Sequence, residues 1–509
     1  MNTNLKTESF FIKETLLSSG YDIAVDNEFT LPDYCPPIKR ILNIKTEPAV
    51  TNKNAVGNTL SLDGVAGIKL LYLDADDSLC SYETAFVFAK NIELSFEIKN
   101  DIIKAEVVAD KISVSARNER KFAIKGTLAL KLEITKVSEK KSICSEKSDE
   151  YEMLCDRMTV SEKILTGERN IIIEEDIALS DSHDEIGKII CYYGRIIEDE
   201  CKIISNKVMI KGTLCVWVTY LSENGYRSNR IKHKISYSQV CDIDGINESF
   251  DCTLDERIVF LEVKCRNNGM DSTKTMTVNA KINAFVEAAY QKECDIVIDL
   301  YSTERDVETV CEKIVQKHKV ERICENFYAK KSLQFSEGMF GNVIDIWSEA
   351  VTTSVKRNED SISVFGTVYV KMIVNNCSEE IDFAERAVDF EYKYPLGGHL
   401  AECEYKADVC TNGIEYIITS DSGIDVSCEL SIMLDIFKYE TITVVTDVCE
   451  HCGASSQKDC SVYICFLDEE TDIWSVAKEY KSNVSEIRNL NSLDTEQQMV
   501  SGALLIPTR

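Results

Sequence analysis

The closest gathering of metal-type ligands in the chain is Cys449-Glu450-His451-Cys452, a CxxC with a histidine inside it, followed by Cys460 and Cys465. Zinc is held by four thiolate or imidazole ligands converging on one point. A single CxxC with loosely spaced thiols after it supplies too little of that pattern. The stretch therefore reads as a linker carrying thiols, with Cys449 and Cys452 as weak metal or redox candidates. The five histidines, His183, His233, His318, His399 and His451, fall in no recognisable pairing. GxxxxGK[ST], HExxH and GxSxG are absent. With 86 carboxylates some proximity is inevitable, so no acid–base pair stands out. No catalytic residue, no bound metal and no cofactor is expected.

The composition narrows the partners. Lys plus Arg total 57 against 86 Asp plus Glu, a net charge of −29 over 509 residues. Such a surface repels phosphate backbones and anionic headgroups, so neither nucleic acid nor direct membrane insertion is expected. A 44% hydrophobic, 28% charged chain is globular rather than disordered. The N-terminal MNTNLKTESFFIKETLL has no basic start or apolar core, so it does not read as a secretory signal. No apolar run approaches the length of a membrane span. A chain kept inside the cell holds its 21 cysteines reduced. Many alternate with apolar residues, such as Cys215 in GTLCVWVTYL and Cys428 in VSCELSIML, and are expected to be buried thiols.

The elements that would position any site come from internal repetition. A shift of 148 residues superposes Leu17 on Leu165, Ile23 on Ile171, Leu31 on Leu179, Asp33 on Asp181, Ile38 on Ile186 and Ile41 on Ile189. The same shift superposes Gly64 on Gly212 and Tyr72-Leu73 on Tyr220-Leu221. A third copy follows at 154, matching Gly187 to Gly341, Ile190 to Ile344, Gly212-Thr213 to Gly366-Thr367 and Val216 to Val370. Each copy has a glycine-led alternating run, GVAGIKLLYL, GTLCVWVTYL or GTVYVKMIV. Each closes on a second such run, FAIKGTLALKLEI, MTVNAKINAFVEA or IDVSCELSIMLDI. Period-2 alternation marks half-buried strands. Turn-like breaks stand at Asp244-Gly245, Asn267-Asn268-Gly269 and Asn412-Gly413. Gly64, Gly212 and Gly366 read as a bulge or a close strand crossing, not as a ligand loop. The Asp33/Asp181 match reads as a repeated turn.

The chain thus reads as mainly β, with three tandem β-rich, sandwich-like modules, each with room for one short helix. The expected boundaries are a first module at 1–137, a charged linker at 138–158, a second module at 159–301 and a second linker at 302–325. A third module at 326–448, a cysteine-containing linker at 449–460 and a small α+β module at 461–509 complete the chain. The two Glu/Lys-rich stretches are expected to be short helices or solvated extended linkers.

Two segments carry resemblances. LPDYCPPIKRILNIK places Leu31, Pro32, Asp33, Cys35, Pro36, Ile38, Ile41 and Leu42 in one phrase. Its prolines fix φ and remove donors, so it reads as an ordered crossing outside the strand ladder. The phrase resembles the signature of the SPOCS domain, once called DUF3794. Copies two and three, LSDSHDEIGKII and SEGMFGNVIDI, lack the prolines, so the signature itself stands once.

The tail reads as strand, helix, helix, strand. Ser461 to Leu467 alternates, and Ile473, Val476, Ala477 and Tyr480 recur at helical spacing. Ser485 suits the N-cap of a second helix, and Leu504 to Ile506 closes a two-stranded sheet ended by Pro507. This tail resembles a LysM module. LysM modules usually open with Gly-Asp-Thr-Leu, where this chain has Glu470, Thr471, Asp472 and Ile473. A side chain where backbone would approach a sugar weakens glycan binding. Trp474 is of a type to stack on a sugar or a protein, or to pack half-buried. The partner-binding candidates are Thr471, Asp472, Ile473, Trp474, Lys478, Arg488 and Asn491.

Repeats followed by one LysM module resemble the SipL-like spore morphogenetic family of clostridia. The resemblance implies a non-enzymatic protein of the mother-cell cytoplasm, at the forespore surface and in the spore coat. It implies that the LysM module contacts the coat-basement ATPase, stage IV sporulation protein A, while the β-modules offer faces to other coat proteins, including by strand addition. The competing reading is a peptidoglycan- or chitin-binding cell-wall protein, which rests on the LysM resemblance alone.

Overall fold

The computed structural model describes residues 5–145, 150–223, 228–266, 274–396, 403–450, 461–494 and 497–507. The first six strands are β1 (Thr7–Thr30), β2 (Arg40–Val56), β3 (Thr59–Leu73), β4 (Leu79–Glu93), β5 (Ile102–Asn118) and β6 (Lys121–Ile143). They form two sheets, β2-β3-β4 and β1-β6-β5, paired antiparallel throughout. Ile23 and Val25 of β1, Leu60, Leu62 and Ile68 of β3, Phe88 of β4 and Leu128 and Leu130 of β6 share one core, so the sheets face each other as a sandwich.

The pattern recurs twice. Strands β7 (Tyr151–Ala178), β8 (Ile186–Ile204), β9 (Lys207–Ser222), β10 (Ser228–Cys241), β11 (Asp251–Cys265) and β12 (Thr275–Ser302) pair as β10-β9-β8 and β11-β12-β7. Strands β13 (Val307–Gln334), β14 (Asn342–Arg357), β15 (Ser361–Asn375), β16 (Ile381–Pro395), β17 (Cys403–Ile418) and β18 (Gly423–Glu450) pair as β14-β15-β16 and β13-β18-β17. A single bridge, Phe11 to Ser161, joins β1 to β7 and merges two of the sheets into one of six strands. Among the described residues no helix lies in these three sets, so the short helix expected in each is replaced by strand and turn.

Each glycine-led run is the middle strand of its three-stranded sheet. Gly64, Gly212 and Gly366 stand directly opposite Phe88, Tyr237 and Phe390 on the next strand. A Cβ at any of the three would fall well inside contact distance of that ring. The glycine is there because an aromatic lies across it, a close approach rather than a ligand loop. Gly212→Ala is expected to lower the stability of the second set by roughly 1–3 kcal/mol through overpacking. Thermal unfolding checks this, with Gly413→Ala as the control, because nothing lies within 4 Å of a Cβ there. Gly413 belongs to a register shift within β17, so Asn412-Gly413 is a bulge and not a turn.

The two charged stretches differ most from expectation. Residues 138–143 and 151–158 are strand, as are 307–325, because β6, β7 and β13 run on past their sandwiches. Strands of 24 to 28 residues such as β1, β7, β12, β13 and β18 far exceed the usual five or six. Their outer halves build a core that belongs to all three sets. Phe10 and Ile12, Val160 and Ile296, and Ile314, Ile442 and Val444 pack together there. Ile143, Tyr151, Val297, Leu300, Val445 and Val448 form its continuation. Each strand contributes only a few apolar residues, so the stretches look solvated in sequence. Lys140 bridges Glu14 at 2.9 Å and Glu312 at 2.6 Å beside this core, tying the first set to the third.

A second shared core closes the opposite side. Leu71, Leu73 and Leu79, Ile190, and Ile373 meet there, one group from each three-stranded sheet. Hydrogen bonds run between every pair of sets: Ser81 Oγ donates to the Ile189 carbonyl at 3.0 Å, Arg230 to the Ile346 carbonyl at 2.7 Å, and Arg40 to the Ile381 carbonyl at 2.5 Å. The three sandwiches therefore close on one another rather than stringing out as beads.

Candidate partner-binding site

The C-terminal module is β19 (Val462–Asp472), α1 (Ile473–Glu479), α2 (Val484–Asn491) and β20 (Met499–Pro507), in the expected βααβ order. Asp472 caps α1 by accepting from the Trp474 and Ser475 amides, both at 3.3 Å. Asn483, not Ser485, caps α2, accepting from the Ser485 amide at 2.9 Å and the Glu486 amide at 3.1 Å. Asn and Ser are both favoured caps because each offers a side-chain oxygen acceptor, and the helix opens two residues earlier than its apolar spacing suggests. Ile473, Val476, Ala477, Ile487, Val500, Leu504 and Ile506 form the module's core.

One residue of that core comes from elsewhere. Tyr301, at the end of β12, is 4% exposed and packs among these residues. Its ring stands edge-on to Trp474 with centroids 4.9 Å apart, and its hydroxyl donates to the Ser482 carbonyl at 2.6 Å. Asp299, two residues earlier, accepts from Trp474 Nε1 at 2.8 Å and from Lys478 Nζ at 2.6 Å. Lys481 pairs with Asp306, and Asn483 donates to Glu152. The helical side of the module is thus docked on the tips of β7 and β12.

This placement sorts the candidate residues. Trp474 and Lys478 meet each other at Asp299 and face the chain's own second set. Ile473 is 2% exposed and is core. Thr471 pairs with Val500 across the sheet, and its hydroxyl donates to the Glu469 carbonyl at 3.1 Å. Arg488 donates to the Gln497 carbonyl at 3.0 Å. Asn491 donates to the Leu505 carbonyl at 2.6 Å and accepts from its amide at 2.7 Å, locking α2 to β20. The docking partners Asp299 and Tyr301 lie far away in sequence, in an ordinary alternating run, and no local pattern pairs them with residue 474.

Among the described residues, what stays uncovered is the far face of the module's two-stranded sheet. Val462, Ile464 and Phe466 alternate along β19, opposite Pro507, Leu505 and Ala503. Phe466 is 75% exposed and Ile464 61%. Large apolar side chains gathered in this way, beside the polar ends of the same strands, mark protein-contact surfaces in folded chains.

The phrase at Leu31–Leu42 is structural. Leu31, Cys35 and Ile38 are buried in the first core, while Asp33 is exposed. The Leu31 and Ile38 amides donate to the Arg120 and Glu119 carbonyls, at 2.8 and 2.7 Å. Arg120 donates back to the Pro32 and Cys35 carbonyls, at 3.0 and 2.8 Å. Tyr72 donates to the Pro36 carbonyl at 3.0 Å. Ile41 and Leu42 open β2. Copies two and three make the same loop without the prolines. Their turns close from His183 to Ser180 and from Met339 to Ser336, as Cys35 closes on Pro32. Tyr220 donates to the Asp184 carbonyl at 3.1 Å, repeating Tyr72 at the same shift of 148.

The strands that follow the first two of these loops match a known family. Residues 37–117 and 185–266 match the family model described as SipL, SPOCS domain. The match relates the chain to sporulation and the spore coat. No curated protein and no solved structure matches it. Each SPOCS segment starts at the turn into the three-stranded sheet and takes in β2 to most of β5, or β8 to β11. The third set repeats the same strand order. Among the described residues no three or more His, Cys, Asp or Glu side chains gather to hold a metal. Cys449 sits exposed at the end of β18, while His451, Cys452 and Cys460 lie outside the described residues. Among the described residues no helix is long and apolar enough to cross a membrane.

Between the SPOCS segments lies a charged cluster. Glu47 of β2 pairs with Lys45 at 2.6 Å and with Lys69 of β3 at 3.0 Å. Lys69 Nζ lies 3.6 Å from the centre of the Tyr192 ring, and Tyr192 donates to Glu83 at 2.7 Å. Burial pushes the Glu47 carboxyl up, but the two lysines outweigh it and hold it at about 2. A carboxylate held below its ordinary 4.5 stabilises the fold above that pH, and the contribution is lost as pH falls toward about 2. The difference in melting temperature between the native chain and Glu47→Gln is therefore expected to stay constant above about pH 5 and to shrink below it.

Proposed function

We propose that this chain is a non-enzymatic adaptor of spore coat assembly. In this reading the three closed sandwiches are the body and the βααβ module is a LysM-like head that binds the coat-basement ATPase, stage IV sporulation protein A. The observation that carries it is the orientation of the head: its helical side is fixed to β12 through Asp299 and Tyr301, and its apolar sheet face points away. A surface of Ile464, Phe466 and Leu505 suits a protein partner better than a hydrated glycan. The SPOCS match supports the sporulation setting, and in this reading the chain works in the mother-cell cytoplasm at the forespore surface. The remaining faces of the body serve other coat proteins.

The alternative is a peptidoglycan- or chitin-binding wall protein, and one observation bears on it. Trp474, the aromatic best suited to stacking on a sugar, is held against Tyr301 and Asp299. Capture assays with the intact chain separate the two readings. The adaptor is retained by the immobilised ATPase and stays in the supernatant when purified peptidoglycan is pelleted. Pelleting with peptidoglycan and no retention by the ATPase would reverse the assignment.

A further inference from the structure

The second set contains a pair of thiols that pack on its core and whose chemistry the proposed function does not use. Cys201 of β8 and Cys252 of β11 bring their Sγ atoms to 2.9 Å. β8 is an edge of one sheet of the sandwich, and β11 is an edge of the other. Both thiols are only partly buried, so a small reagent reaches them.

The equivalent places in the other two sets show what the pair replaces. Cys201 stands opposite Ile210 on β9, and Cys252 opposite Ala288 on β12. The same strand positions in the first set hold Lys53, opposite Leu62, and Ile103, opposite Ile134. There Lys53 Nζ donates to the Ile103 carbonyl at 3.3 Å. In the third set the positions hold Val355 and Tyr405, which both pack on that sandwich's own core. The first set thus has a polar bond between these positions and the second a dithiol, while in the third both side chains pack on the core between the sheets. Only the second set has chemistry there that can become covalent.

We propose that Cys201 and Cys252 form a redox-closed clip between the two sheets of the second sandwich. The oxidant is a low-molecular-weight disulfide, RSSR. The thiolate of one cysteine attacks a sulfur of RSSR, breaking that S–S bond, forming a mixed disulfide and releasing RS⁻. The second cysteine, as thiolate, attacks the protein sulfur of the mixed disulfide and expels the second RS⁻. In sum two protein thiols and RSSR give one protein disulfide and two RSH, so the cysteines are oxidised and the reagent is reduced. A disulfide sets its sulfurs about 2.05 Å apart, so closure from 2.9 Å needs a small side-chain shift. The bond closes a loop spanning 51 positions, with the usual stabilising effect of a long-loop crosslink. Such a clip lets an adaptor made under reducing conditions harden in place once its surroundings become oxidising.

The test uses the intact native chain. It is incubated with oxidised glutathione, blocked with iodoacetamide, digested without reduction and analysed by mass spectrometry. The expected product is one linked pair of peptides carrying Cys201 and Cys252, lighter by two hydrogens than their sum. The oxidised chain should melt higher by roughly 5–10 °C, and the gain should vanish on reduction. In Cys252→Ser the link is absent and Cys201 retains glutathione instead. Recovery of both cysteines alkylated, both carrying glutathione, or linked to other cysteines, from a chain with unchanged circular dichroism, would overturn the clip. The wild-type result stands without any variant, so a misfolded Cys252→Ser chain does not blunt the test.

Discussion

Phe466→Asp is expected to weaken binding of the sporulation ATPase by at least about thirtyfold while leaving the chain folded. The side chain is 75% exposed, so its replacement removes almost no internal packing. It alternates with Ile464 on one face of β19, and among the described residues nothing covers that face. A carboxylate placed at the centre of an apolar contact loses the buried ring and adds an unpaired charge, and a central aromatic of this kind is typically worth 2 kcal/mol or more. A titration of the intact variant against the ATPase measures the loss, and the melting temperature confirms the fold. Ile464→Asp is expected to behave alike. Unchanged affinity in both would move the contact away from this face.

Tyr301→Ala is expected to release the C-terminal module from the body. The ring is 4% exposed in the module's own core, packs edge-on against Trp474 and donates to the Ser482 carbonyl. Truncating a buried aromatic costs roughly 3–5 kcal/mol, and leaving the Ser482 carbonyl unpaired adds to it. At 1.4 kcal/mol per tenfold, amide exchange in α1 and α2 that proceeds through undocking should accelerate by about two to four orders of magnitude. Tyr301→Phe keeps the packing and loses only the hydroxyl's bond, so about 1 kcal/mol is expected there. Exchange rates at 473–491 that do not change in Tyr301→Ala would mean the contact does not hold the module. The two variants also separate two roles: Phe466→Asp removes binding without undocking, and Tyr301→Ala undocks while leaving the apolar face intact.

The middle strands were readable from sequence because each carries strict alternation and a glycine under an aromatic. The first helix was readable from Ile473, Val476 and Ala477 and the second from Ile487 and Leu490 after Ser485, with only the second cap displaced, from Ser485 to Asn483. The charged stretches were not readable. A strand that shares its core with two others needs only an occasional buried residue, such as Tyr151 or Ile314, and the lysines and glutamates between them dominate the pattern. The proline phrase misled in a smaller way. Its prolines stand once, yet the loop it forms stands three times, because the amide-to-carbonyl bonds that define it need no particular side chain.

The fold of the C-terminal module was legible in sequence, and its orientation on the body was not. The residues chosen for partner contact all lie in that module, but Trp474 and Lys478 are turned toward Asp299 by a docking contact formed between distant parts of the chain. Spacing within residues 461–509 carries no trace of that contact. The apolar alternation of Ile464 and Phe466 was visible as strand, and only the pairing of β19 with β20 tells which face the helices cover.

In the adaptor reading, the outward sheet face of the C-terminal module binds the coat-basement ATPase. Amide hydrogen exchange of the intact chain, alone and with saturating ATPase, tests it most directly. The result expected is slowed exchange in β19 and β20, at residues 462–467 and 503–507, with the docking tip at 299–302 unchanged. A stable complex that slows exchange only in the three sandwiches, with β19 and β20 as open as in the free chain, would contradict it.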